Sequence, residues 1–102
     1  MDFYIIKSPS KGTIDILMRR KGSSPKELPP YGVDAVGLVQ GRMIEMVVAS
    51  DIAEKATGVT VEDIKGSCPQ NMILLAIFGD TASVESALAD IKAKAKEGME
   101  TC

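Results

Sequence analysis

Histidine and tryptophan are absent from this 102-residue chain. Without histidine, the chain cannot build a Ser-His-Asp or Cys-His catalytic group, an imidazole zinc site or the usual proton shuttle. Aromatic residues make up only 4% of the sequence, so a surface that stacks nucleic-acid bases is not expected. These absences exclude the commonest hydrolytic mechanisms and disfavour a nucleic-acid-binding module.

A strong net charge and long apolar runs are also missing. The net charge is −2, so there is no electrostatic reason to expect nucleic acid as a partner. No apolar run approaches the roughly 20 residues that span a bilayer. The N-terminus has no basic region followed by a long apolar stretch, so no signal peptide is predicted. We therefore expect a cytoplasmic protein without a membrane partner, folded as one domain over residues 1–102.

Cysteine is scarce, since only Cys68 and Cys102 are present. Two cysteines are too few for a disulfide scaffold, and the role of the terminal Cys102 is left open. Cys68 lies in the segment Gly66-Ser67-Cys68-Pro69-Gln70-Asn71, between two apolar segments. Turn-forming residues surround the thiol, so this pattern predicts a loop that presents Cys68.

Apolar spacing predicts a chain of alternating strands and helices. Strands are expected at 3–6, 13–18, 33–39, 59–64 and 72–78. Two long helices are expected at 42–57 and 83–96, and one helical turn at Ser24-Pro25-Lys26-Glu27. Segment 72–78 is apolar on both faces and is expected to be a central strand. The predicted fold is α/β, an α+β sandwich with helices on one face of a mainly antiparallel sheet.

The helical periodicity also predicts which side chains are buried. In the first long helix the apolar face is expected to comprise Ile44, Val47, Val48, Ile52 and Ala56. In the second it is expected to comprise Val84, Ala87, Leu88, Ile91 and Ala95. Asp80 or Thr81 is expected to cap the second helix, and Gly58 to end the first.

The carboxylates form no clear acid–base pair. Glu62 and Asp63 are adjacent on a predicted strand, so their side chains should point to opposite faces, and a solvated role is expected for both. No catalytic residue is assigned, and the protein is not expected to be an enzyme. A thiol enzyme using Cys68 is the weakest alternative, because no histidine is present to activate the thiol.

The ordered series of segments resembles the bacterial microcompartment (BMC) shell domain over residues 33–95. The resemblance rests on the strand Ala35-Val36-Gly37-Leu38-Val39, the small residues Ala49 and Ala53-x-x-Ala56, Gly58-Val59, Gly66-Ser67, the strand 73–78, Gly79-Asp80 and Val84-Glu85-Ser86-Ala87-Leu88. In the common form of this family, a strand and a short helix follow the second long helix. Here a matching strand and short helical turn lie at the front, within Thr13 to Leu28.

The chain is therefore similar to circularly permuted shell proteins, with a permuted segment at 1–28 and a core at 33–97. In that subclass an extra N-terminal segment can gather near the six-fold axis, and residues 3–6 are the candidate. The family implies a flat homohexamer that assembles with other shell proteins around encapsulated enzymes. It also implies that the loop before the central strand lines an axial pore, which here assigns Gly66, Ser67, Cys68, Pro69 and Gln70 to the pore.

The Cys68-Pro69 pair departs from the small or polar residues that most shell proteins place in this loop. It resembles a divergent shell protein of glycyl-radical-enzyme microcompartments, whose pore cysteine is associated with an iron–sulfur cluster. Such clusters usually need four thiolates, and one chain supplies only Cys68. Six copies in a hexamer would supply enough, so the resemblance implies a shared cluster, expected to be [4Fe–4S], with an electron-transfer or redox role.

Two alternatives remain open from the sequence. The first is a shell tile whose pore passes small metabolites and whose Cys68 binds no metal. The second is a small ferredoxin-like regulatory module that binds a metabolite at a subunit interface and forms a dimer or trimer. Solution mass separates the second alternative from a hexameric tile, and iron content separates the first from a cluster-binding one.

Overall fold

A computed structural model describes residues 2–20, 33–56, 58–64 and 72–97 of the chain. Within them, four strands and three helices occur in the order β1 (Asp2–Lys7), α1 (Lys11–Arg20), β2 (Ala35–Arg42), α2 (Met43–Lys55), β3 (Val59–Ile64), β4 (Met72–Gly79) and α3 (Thr81–Glu97). The predicted helical turn at 24–27 lies outside the described residues. No described helix is long and apolar enough to cross a bilayer.

The four strands form one sheet in the order β1-β2-β4-β3, and every neighbouring pair is antiparallel. Strand β4 is an interior strand, and its residues 75–78 are buried on both faces. Both faces can be apolar only if each is covered, so the predicted central strand is confirmed. The predicted fold class, a mainly antiparallel sheet with helices packed on it, is confirmed as well.

The two long helices, α2 and α3, cover one face of the sheet. They pack on alternate strand residues such as Val39, Leu75 and Ile77, which belong to a single buried cluster with both helices. The intervening strand residues, including Val36 and Phe78, form a second cluster on the opposite face with Leu17 of α1. The expectation that helices occupy one face therefore applies to α2 and α3, while α1 packs on the other.

Helix α1 replaces the strand predicted at 13–18, and that prediction is wrong. Ser10 supplies the helix start, because its Oγ accepts a hydrogen bond from the Thr13 N–H at 3.2 Å and its carbonyl accepts one from the Ile14 N–H at 3.1 Å. Ile14 and Leu17, three residues apart, both join the cluster under α1. The cap and this packing outweigh the strand preference of the β-branched residues.

The strand predicted at 3–6 is confirmed, since these residues lie in the edge strand β1. Their expected position near a six-fold axis stays a prediction. Strand β1 pairs with β2 in the register Phe3↔Val39 and Ile5↔Gly37. Phe3 and Ile5 pack against the larger core, and Lys92 of α3 lies 5.1 Å from the centre of the Phe3 ring. The segment is part of the folded sheet because its alternate side chains complete the surface beneath α3.

The buried face of α2 differs from the predicted one. Ile52 is buried as expected, and Val48 and Ala56 are partly buried against the core. The other fully buried side chains of the helix are Met46, Ala49 and Ala53. Ile44 and Val47 are 74% and 63% exposed. The prediction failed because α2 is apolar on two opposite sides, so periodicity by itself could not choose between them.

Helix α3 follows the prediction closely. Val84, Ala87, Leu88 and Ile91 are buried, while the side chain of Ala95 lies outside the described residues. Asp80 caps the helix, since its Oδ2 accepts a hydrogen bond from the Ser83 N–H at 3.1 Å. The hydrogen bonds from the side chain and backbone of Ser83 hold the pKa of Asp80 below its ordinary value, because they favour the ionised carboxylate.

Candidate functional site

The predicted loop joins two strands at one end of the sheet. Strand β3 ends at Ile64 and β4 begins at Met72. Ile64 pairs with Leu74, and pairing between β2 and β4 continues to Arg42↔Met72. The segment 65–71 therefore starts and finishes at the end of the sheet where β2 also ends. We refer to this end as the loop end.

The sequence-predicted site residues Gly66, Ser67, Cys68, Pro69 and Gln70 lie outside the described residues. Their assignment to a pore remains a prediction, as does the presentation of the thiol. The described strands do establish which end of the fold this segment leaves and re-enters. The side chains around those strand ends are therefore the described surroundings of the predicted site.

The start of α2 is part of the loop end. Met43 directly follows the last residue of β2, so the first turn of the helix lies where the sheet finishes. The backbone N–H of Arg42 donates a hydrogen bond to Glu45 Oε1 at 3.1 Å. This bond satisfies a backbone donor at the helix start, and the acidic side chain also suits the positive end of the helix dipole. The orientation of the first turn is thereby stabilised.

Three apolar side chains on this first part of α2 are exposed. Met43, Ile44 and Val47 are 52%, 74% and 63% exposed, respectively. We call these three residues the apolar patch. Sequence reasoning assigned Ile44 and Val47 to the core and so missed the patch. The signal that could have revealed it is the second apolar side of α2, because a helix that packs on a sheet can bury only the side that faces the sheet.

A shallow groove borders the apolar patch. It runs between α2 and the ends of β3 and β4, and its lining includes Val47, Ser50, Asp63 and Ile73. Asp63 is exposed on this face, whereas its neighbour Glu62 is only 3% exposed and lies on the opposite face with Ile64. The prediction that the two carboxylates point to opposite faces is confirmed. The solvated role expected for Glu62 is wrong, because its strand position directs it into the α1 side of the fold.

The described part of the chain offers no cluster of three or more His, Cys, Asp or Glu side chains that could hold a metal ion. The thiol that the sequence assigns to this end is Cys68. A metal cluster that needs four thiolates would therefore require several copies of the chain.

Comparison with known proteins identifies the fold. The family model described as BMC domain matches residues 35–101. No curated relative matches the chain significantly. Among solved structures, the ligand-free GrpU microcompartment shell protein from Clostridiales bacterium 1_7_47FAA is 59% identical, with a TM-score of 0.75, over 96% of this chain and 95% of that chain.

A second solved structure supports the same assignment. The ligand-free GrpU microcompartment shell protein from Pectobacterium wasabiae is 30% identical, with a TM-score of 0.71, over 89% of this chain and 99% of that chain. Both matches extend beyond the family model to the N-terminal part of the chain. They favour a shell protein over the metabolite-binding regulatory module considered above. The chain belongs to the BMC-domain family of bacterial microcompartment shell proteins.

Proposed function

We propose that this shell protein forms a homohexameric tile whose central pore is lined by the 65–71 segments, and that Cys68 residues from several protomers bind an iron–sulfur cluster there. Family membership supports the structural part, because BMC-domain proteins build the shells of microcompartments in the bacterial cytoplasm. The proposed tile has no catalytic role. Its proposed partners are other copies of itself, other shell proteins and the encapsulated enzymes.

The observation that carries the proposal is the position of Cys68 in the connection between β3 and β4. That connection leaves and re-enters the sheet at the loop end, where β2 also finishes. A ring of protomers that directs this end toward its axis would bring one thiol per subunit to the same point. Rotational symmetry then supplies several identical ligands from a single cysteine.

The donor set fits an iron–sulfur cluster only in an assembly. One protomer offers one thiol at the loop end, whereas a cluster is usually held by four thiolates. A hexamer offers six, so four copies of Cys68 would hold the cluster and two would stay free. A bound cluster would supply one-electron transfer at the pore.

The neighbouring residues suit this arrangement by their chemistry. Gly66 and Ser67 are small, so individual loops can differ in conformation, as four ligands among six equivalent chains require. Pro69 restricts the backbone after the thiol and removes an N–H group. Gln70 would contribute a polar group to the pore lining.

The test is purification of the full chain under strict exclusion of oxygen, followed by measurement of iron and sulfide per hexamer and of native mass. We expect a hexamer with iron, sulfide and charge-transfer absorption. Cys68→Ser should abolish the iron and the absorption but retain the hexamer, whereas the matched control Cys102→Ser should retain both.

Two outcomes would contradict the proposal in different ways. A colourless, iron-free hexamer would favour the alternative tile, in which Cys68 binds no metal and the pore passes small metabolites. A monomer, dimer or trimer without higher assemblies would exclude the hexameric tile itself.

A further inference from the structure

Strand β1 is the least deeply buried strand of the sheet. Strands β2, β3 and β4 each contribute fully buried side chains to the protein, whereas no residue of β1 is fully buried. Strand β1 also lies at an edge of the sheet, where β2 is its neighbour in the described fold. Regions with few buried apolar contacts open locally at a lower free-energy cost than the core. Strand β1 can therefore leave the sheet without removing a fully buried side chain.

Two lysine side chains connect β1 to α3. The Lys92 Nζ atom lies over the Phe3 ring, 5.1 Å from its centre, and a cation at this distance is attracted by the face of an aromatic ring. At the other end of the strand, Lys7 Nζ lies 3.7 Å from Glu85 Oε2. Both side chains of this ion pair are more than half exposed, so we expect it to contribute little. The contact between Lys92 and Phe3 is the stronger link.

Ser8 marks the point where the chain leaves β1. Its φ is 50°, in a backbone region that residues other than glycine seldom adopt. Its N–H donates a hydrogen bond to the Asp34 carbonyl at 2.7 Å, next to Lys7↔Ala35, the last residue pair between β1 and β2. Beyond Ser8 the chain continues into α1, which packs on the other face of the sheet. Ser8 therefore joins β1 to an element that packs separately from it.

The opposite edge of the sheet is built differently. Strand β3 is also an edge strand, but Val61, Glu62 and Ile64 are all buried. Opening of β3 would therefore expose buried side chains on both faces of the sheet. The two edges should differ in how readily they open, and β1 is the weaker one.

We infer that β1 is a strap that opens and closes on the sheet as a unit, with Ser8 as its hinge and the contact between Lys92 and Phe3 as its main latch. In the closed state Phe3 and Ile5 pack against the core beneath α3. In the open state the backbone groups of β2 that pair with β1 become free, and an unpaired strand edge is a surface to which another extended strand can add. The strap therefore controls access to the edge of β2.

This inference goes beyond the proposed function and does not depend on it. It uses only contacts within one protomer, and neither Cys68 nor a ring of protomers enters it. The amount of iron bound and the number of protomers in the assembly therefore leave it unaffected.

The test is hydrogen exchange of the full chain, measured by mass spectrometry with fragmentation that resolves single amides. We expect the β1 amides, and those β2 amides that face β1, to exchange faster than the β2 amides that face β4. Successive residues of β2 should therefore alternate in rate, because their N–H groups point to opposite neighbours. Lys92→Ala should accelerate the faster set by roughly two- to fivefold, since it removes the latch, and leave the amides shared by β3 and β4 unchanged.

The matched control is Lys94→Ala, which removes the same kind of side chain from an exposed position two residues further along α3. We expect exchange in this variant to equal that of the wild type. If the β1 amides exchange as slowly as those of β4, the inference is overturned, because β1 then opens only when the whole fold unfolds. Equal rates in the Lys92 and Lys94 variants would overturn it too, since no latch would then act through the Phe3 ring.

Discussion

Gly37 of β2 lies directly beneath Val84 of α3. A Cβ atom placed on Gly37 would be 3.0 Å from Val84 Cγ1 and 3.2 Å from both terminal methyl carbons of Leu88. The absence of a side chain at this position lets the helix approach the sheet closely. Packing of this density leaves little room for added atoms.

Gly37→Val should therefore destabilise the fold. The added branched side chain must displace Val84 or Leu88, and overpacking of this kind costs about 1–3 kcal/mol. The measurement is the free energy of unfolding from urea titration. Gly12→Ala on α1 is the control, because a Cβ there meets only Ser10 Oγ at 3.9 Å. An unchanged midpoint for Gly37→Val would show that α3 can move away without cost.

Gly58→Ala should also lower stability, for a conformational reason. Gly58 has φ of 83° in the turn before β3, a backbone region that costs other L-residues about 1–2 kcal/mol. A Cβ would also come within 2.9 Å of Ser83 Oγ. Thermal unfolding of this variant with and without Ser83→Ala separates the two causes. If Gly58→Ala lowers the melting temperature of wild type but not that of Ser83→Ala, contact rather than backbone conformation is responsible.

Met46 and Met43 should respond very differently to truncation, although they lie three residues apart on α2. Met46 is fully buried and Met43 is 52% exposed. Met46→Ala should reduce the free energy of unfolding by about 2–5 kcal/mol, because it leaves a cavity. Met43→Ala should change protomer stability by no more than about 0.5 kcal/mol. Equal losses in the two variants, measured on dissociated protomers, would contradict the assigned orientation of α2.

The Asp80 cap predicts a pH dependence of defined sign. The pKa of Asp80 is lowered in the folded state by hydrogen bonds from Ser83. The cap's stabilisation should therefore be fully present above the unfolded-state value of 3.8 and be lost as pH falls through the lower folded value. The melting temperature of wild type minus that of Asp80→Asn should be constant between neutral pH and about pH 5, and shrink below about pH 4.

Asparagine is the matched substitution here because it can also cap a helix but does not ionise in this range. Other carboxylates titrate in both proteins, so their effects cancel in the difference. A difference that stays constant down to the lowest accessible pH would show that ionisation of Asp80 makes no contribution. Ser83→Ala should weaken the same pH dependence without removing the carboxylate.

Local sequence patterns were sufficient for much of the fold. The strands β1 to β4 and the helix α3 were predicted, the strands from short apolar segments next to turn residues and the helix from its apolar stripe. Val84, Ala87, Leu88 and Ile91 show this most clearly, since a single apolar stripe leaves only one side for the sheet. The position of Cys68 between β3 and β4 is likewise determined by chain order.

The sequence by itself thus determined the resemblance to the family, the order of strands and helices from residue 33 onward and the position of Cys68 between the last two strands. Only the tertiary structure decided that α1 is a helix on the far face, that β1 completes the sheet, and that α2 turns Met46 inward and Ile44 outward. The physical reason is that each of these segments has two acceptable local solutions. The choice between them depends on which surface is available for burial, and that surface exists only when distant strands have paired.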